Sequence, residues 1–139
     1  MKVTVQKKDG DPQAMGKALD KVMLLLLEGN EQTFRNEGPG WKPLSQATLK
    51  KRRKGNSPFG VKILQDSGLL KGSMTAVSHP KGHRFTNKTD RVEVGTNVKY
   101  GYYHQEGTSK MVARPFAIVP FETRRQIRKV VGKAFVKSI

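Results

Sequence analysis

The chain has 139 residues, enough for one domain with a modest core. It has no cysteine, which excludes disulfides and thiolate metal sites, and no stretch approaches the ~18 apolar residues of a membrane-spanning helix. The net charge of +16 comes almost wholly from residues 49–139, where 20 basic side chains face 5 acidic ones, against 7 and 6 in residues 1–48.

A field of that size suits contact with nucleic acid or an acidic protein, and equally a solvated basic surface. Met1 to Lys7 alternates apolar and polar at Val3 and Val5, which predicts a short strand. Met1 to Gly10 has no apolar h-region, so no secretory signal is expected. Asp11 then Pro12 reads as an N-cap followed by proline at the first helical position. Met15, Ala18, Leu19, Val22, Met23, Leu26 and Phe34 then recur near a 3.6-residue period, predicting a helix from about Pro12 to Arg35. Gly29 and Asn30 weaken that helix and could end it early, and the run Leu24 to Leu27 exceeds the needs of one narrow face. Part of that run therefore meets another element or subunit, or else the core face is wide.

The glycines and proline of Asn36 to Gly40 break the helix. Ser45 can cap a short helix that ends in the basic run Lys50 to Lys54, and Asp66 can cap another through Leu69 and Leu70 to about Ser73. Met74 to Ser78, Arg84 to Thr86 and Arg91 to Val94 favour extended structure, with turns at Gly82, Asn87 and Asp90. Tyr100 to Gln105 fits either a helix or a strand, and Arg114 before Pro115 should be extended. From about Glu122 to Lys137 the chain is an amphipathic helix, with Ile127, Val130, Val131, Ala134 and Phe135 on one side. No internal repeat or second domain is visible. The expected architecture is a single α+β domain over residues 1–139, with the two long helices packed on a small antiparallel sheet. Its stretch of about 41–62 should be mobile in the isolated protein and ordered on assembly.

Chemistry is hard to find in this sequence. His79 and His83 are four residues apart, but Pro80 and Gly82 argue against a helix that would aim both at one metal. There is no zincin motif and no Walker loop, and Ser67 and Ser73 sit in no nucleophile elbow. No catalytic, metal or cofactor residue is therefore assigned. The catalytic alternative is a metal-free nuclease resting on His104. The candidate polyanion-facing residues are Lys50, Lys51, Arg52, Arg53 and Lys54, with Arg124, Arg125, Arg128, Lys129 and Lys133 on the last helix. They offer charge without interleaved aromatics to stack on bases, so any contact with DNA would be non-specific.

Four segments in order resemble the phage virion morphogenesis family, the tail-completion proteins of Mu-like and P2-like phages. They are Glu37 to Ser45 (EGPGWKPLS, then Thr48 and basic residues), Ile63 to Ser73 (ILQDSGLLKGS), Val94 to Gly107 and Ala113 to Phe116. The motif positions are Gly40, Trp41, Pro43, Leu44, Thr48, Gly68, Leu70, Tyr100, His104, Gln105, Gly107, Arg114, Pro115 and Phe116. Each also reads as a determinant of shape. Trp41 would pin a loop, Gly68, Gly95 and Gly107 would serve turns of positive φ, Arg114 would hold a carboxylate or carbonyl, and His104-Gln105 would pair with backbone. The resemblance implies a structural, non-enzymatic role without cofactor, in tail completion and head–tail joining. It also implies other tail and neck proteins as partners, a homo-oligomeric and often hexameric ring, and a place in the virion after assembly in the host cytoplasm. The basic last helix would meet DNA if it lines a channel, or an acidic neighbouring ring if it faces outward.

Overall fold

The computed structural model describes residues 2–6, 12–53 and 60–137. In chain order the elements are β1 (Lys2–Gln6), α1 (Pro12–Arg35), α2 (Gln46–Lys51), α3 (Leu69–Thr75), β2 (Gly82–Thr86), β3 (Arg91–Thr96), α4 (Gly101–Glu106) and α5 (Phe121–Lys137). The strands form an antiparallel sheet in the order β1-β3-β2. The fold is α+β, with the long N-terminal helix and the C-terminal helix in place.

The apolar period of α1 decides the packing. Met15, Ala18, Leu19, Val22, Leu26 and Leu27 are buried in one cluster with Val92 and Val94 of β3 and with Ile127 and Ala134 of α5. Each fully buried aliphatic side chain contributes roughly 1.5–3 kcal/mol. Of the leucine run, Leu26 and Leu27 are core and Leu25 packs against it, while Leu24 is 54% exposed. Further along, α1 enters a second cluster, in which Phe34 meets Trp41, Ile63, Leu64, Leu70, Met74, Val98 and Phe116. α1 is thus the shared wall of both cores.

The helix does not end at Gly29 or Asn30, because tertiary contacts use both residues. The buried Asn30 amide donates to Met74 O at 2.8 Å, so its polarity is satisfied. At Gly29 a Cβ would stand 2.7 Å from Thr123 Oγ1 and 3.1 Å from Thr123 Cγ2, so the missing side chain lets α5 approach α1. Thr123 is buried and both of its γ heavy atoms face Gly29, so every staggered χ1 leaves at least one of them in the way. Gly29→Ala is expected to cost about 1–2 kcal/mol net, although alanine is the better helix former by about 1 kcal/mol. Gly132, in the interior of α5, has nothing near its missing Cβ. Gly132→Ala is expected to add about 0.5–1 kcal/mol. Urea unfolding of the two variants should therefore give shifts of opposite sign; a gain at Gly29 would mean that α1 and α5 are free to separate there.

Other expectations change. Met74 and Thr75 belong to α3, not to an extended segment, since Met74 is buried on the helix face that meets Phe34. The N-cap of α3 is Gly68 at φ 81°, not Asp66, and the Leu69 amide is met instead by Ser67 Oγ at 3.3 Å. The ambiguous segment from Tyr100 to Gln105 resolves as helix from Gly101 onward, with Tyr100 as the N-cap. Ser45 caps α2 as predicted, its hydroxyl accepting from Thr48 N at 3.2 Å. Within the stretch expected to be mobile, residues 54–59 lie outside the described residues, and Trp41 before them and Ile63 after them are buried. Asp11 also lies outside the described residues.

Candidate functional site

The motif segments converge on one cleft. Its volume is about 650 Å³, and its walls come from α2 and the residues before it, the turn before α3, α4, and the strap from Lys110 to Arg114. Among the motif residues Pro43, Leu44, Thr48, Gly68, Leu70, Tyr100, His104 and Arg114 line it directly. Trp41, Gln105, Pro115 and Phe116 support the walls from outside the lining.

Trp41 is the central pin. Its ring lies edge-on to Phe34 at 5.8 Å, and its Nε1 donates to Pro115 O at 2.7 Å. The indole covers Gly38, whose φ is +75° and whose Cβ, if present, would fall 2.1 Å from the ring. Only glycine meets both the left-handed backbone and the close approach. Phe116, with no exposed surface, sits 6.2 Å from Phe34.

Arg114 turns its guanidinium back onto the same loop. Nε donates to Lys42 O at 2.8 Å and Nη2 to Pro43 O at 2.7 Å, while its own amide donates to His104 O at 2.7 Å. Of the two predicted partners, carboxylate or carbonyl, it holds carbonyls. Gln105 Oε1 accepts from Phe116 N and Ala117 N, both at 3.0 Å. The predicted pairing of His104-Gln105 with backbone is therefore made by the Gln105 side chain and the His104 carbonyl. The imidazole does not take part: its Nδ1 is buried without a hydrogen-bond partner. Burial, and secondarily the Arg114 charge, lower the His104 pKa, which keeps the ring neutral at physiological pH. Tyr100 meets it edge-on at 5.7 Å.

Several polar groups of the cleft are committed locally. Ser45 Oγ caps α2 and contacts Thr48 Oγ1 at 2.9 Å, and Ser67 Oγ accepts from Leu69 N. Asp66 lies 3.9 Å from Arg52 Nε. Leu64, in the wall, holds a left-handed φ of 60°, a costly conformation for a branched L-residue. The segment is fixed on both sides: Ile63 N donates to Glu37 Oε1 at 2.8 Å, and buried Gln65 Nε2 donates to Phe34 O at 2.9 Å. Glu37 and Gln65 are structural residues of the site beyond those the sequence singled out. Both lie inside motif segments, but only long-range geometry gives them roles.

The positive-φ expectation holds at Gly68 and at Gly107 (φ 76°), and Gly40 has φ 77°. It fails at Gly95, which lies inside β3 opposite Lys2 and His83. From those positions both side chains reach diagonally to Glu93, Lys2 Nζ at 3.2 Å and His83 Nε2 at 2.8 Å. The His83 hydrogen bond, with Lys2 and Arg91 adding to it, holds the Glu93 carboxyl below the usual range against the opposing effect of burial. This cluster, on the sheet face away from Val92 and Val94, also went unread in the sequence, where ten residues separate His83 from Glu93.

The basic residues divide. Arg124, Arg125, Arg128, Lys129 and Lys133 are exposed along α5, with Arg125 3.3 Å from Glu122. Lys50, Lys51 and Arg53 are also exposed, and Lys54 lies outside the described residues. Arg52 differs from these neighbours: its side chain is 9% exposed, lies in the cleft wall beside Asp66 and donates to Lys62 O.

The profile of the phage virion morphogenesis family matches residues 4–135. No curated protein and no solved structure matches the chain.

Proposed function

We propose that this chain, which belongs to the phage virion morphogenesis family, is a structural subunit of tail completion and head–tail joining that assembles as a ring at the neck or tail end. One observation carries the reading: Trp41, Gln105 and Arg114 spend their polar atoms on holding the cleft together, while large side chains of α4 stay exposed. Trp41, Gln105 and Arg114 all bond main chain. On α4, Tyr102 and Tyr103 are 61% and 52% exposed, and in the cleft lining Tyr100 and Val112 are 40% and 38% exposed. Exposed aromatics on a fixed scaffold are what protein interfaces use as anchors. Neighbouring copies and other tail and neck proteins are the partners, and the role is architectural, not catalytic.

Light scattering on the purified protein tests this reading. The wild type is expected at the mass of a closed oligomer, such as a hexamer. Tyr102→Ala/Tyr103→Ala should shift it to monomer with an unchanged circular dichroism spectrum, since neither side chain is in a core cluster. A wild type that stays monomeric at every concentration would rule out the ring. An unshifted double variant would move the interface away from α4.

A further inference from the structure

A second concavity lies on another part of the surface. Along the start of α1 and the end of α5 runs a groove of about 270 Å³ bordered by Lys17 and Lys21 from one helix and Lys129 and Lys133 from the other. Ala18 and Ala134 keep its floor low, and no acidic side chain lines it. Each lysine pair is four residues apart, so about 6 Å of helix rise separates its Cα atoms. Among the described residues none of the four forms an ion pair. Asp20, next to Lys21 in the chain, is 3.6 Å from Lys88.

We infer that this groove seats the phosphodiester backbone of double-stranded DNA. Four like charges held around one hollow repel one another, and an anion in the hollow relieves that repulsion. The residue type selects the anion. Lysine is depleted at protein interfaces, which are anchored by aromatics and arginine, and no aromatic lines this groove. Lysine does serve as a point-charge partner for phosphate, releasing condensed counterions. With only alanines and one valine between the lysines, the groove has no side-chain donor or acceptor to read a base edge, so binding is independent of sequence. Arg124, Arg125 and Arg128 continue the charge along α5. The inference is independent of which neighbours the tyrosine-bearing face meets.

The test is fluorescence anisotropy of a short labelled duplex with the full-length protein across a salt series. Neutralising four phosphate contacts corresponds to a slope of log K against log salt of about −3.6, or roughly a 100-fold loss of affinity from 50 to 200 mM. Lys17→Ala/Lys21→Ala/Lys129→Ala/Lys133→Ala should remove about that much of the wild-type slope. Lys42→Ala/Lys62→Ala/Lys81→Ala/Lys99→Ala, an equal charge change at exposed sites elsewhere, should leave the slope unchanged. Equal losses in the two variants would assign binding to the overall field and overturn the inference. So would a wild type that ignores the duplex at low salt, or one whose duplex is displaced by polyglutamate at equal charge concentration, the sign of an acidic protein partner. Lysine acetylation of the wild type, with and without duplex, decides the matter even if a variant misfolds. Protection of the four groove lysines is expected, and their unchanged reactivity would refute the site.

Discussion

Trp41→Ala is expected to remove about 3–5 kcal/mol of stability, a large share of the 5–15 kcal/mol that holds a typical domain. The indole is 8% exposed, meets Phe34 edge-on and donates to Pro115 O at 2.7 Å. It joins the loop after α1 to the strap before Phe116, so its loss opens a cavity and leaves Pro115 O without its donor. Trp41→Phe keeps the aromatic contact and loses the hydrogen bond, with an expected cost of about 1–2 kcal/mol. Calorimetry should rank the three proteins in that order, with the alanine variant melting roughly 8 °C or more below wild type. A melting point within experimental scatter of wild type for Trp41→Ala would show that the cleft is not held by this residue.

Arg84→Met should be nearly as costly, about 3 kcal/mol or more. The Arg84 guanidinium bonds four carbonyls: His83 O at 3.0 Å and Gly95 O at 3.1 Å within the sheet, and Ser73 O at 2.8 Å and Ala76 O at 2.7 Å at the end of α3. It therefore ties α3 to β2 and β3 while placing a cation at the helix C-terminus, where the carbonyl ends favour it. Burial lowers its pKa, but guanidinium starts so far above neutrality that it stays charged. Methionine retains the stem and abandons the four acceptors. Arg84→Lys cannot reproduce the planar fork and should fall between methionine and wild type. Urea unfolding gives the ranking; a lysine variant as stable as wild type would mean that charge alone matters there.

How much of this was legible in the sequence depends on how local its cause is. The start and the core face of α1 could be read because Pro12 and the spacing of Met15, Leu19, Val22 and Leu26 are properties of one segment. Ser45 was legible for the same reason, since an N-cap acts over three residues. Where the cause is tertiary, local reading fails. Gly29 and Asn30 look like helix breakers until Thr123 and Met74 O are placed against them. Arg52 looks like its neighbours in a basic run, and only the fold separates it from Lys50 and Arg53 by turning it toward Asp66. Met74 alternates like a strand residue, yet it is fixed by Phe34 and Leu70 in the second core. The motif residues of the cleft were identifiable as a set, but their geometry was not. That Arg114 faces carbonyls, and that Gln105 rather than the His104 ring meets the backbone, emerges only when residues more than ten apart are brought together.

An architectural role at the tail is tested most directly by electron microscopy of lysates from a phage in which the gene is deleted. DNA-filled heads and unjoined tails should accumulate side by side, and wild-type protein supplied in trans should restore complete particles. A normal yield of joined, infectious virions in the absence of the protein would contradict that role.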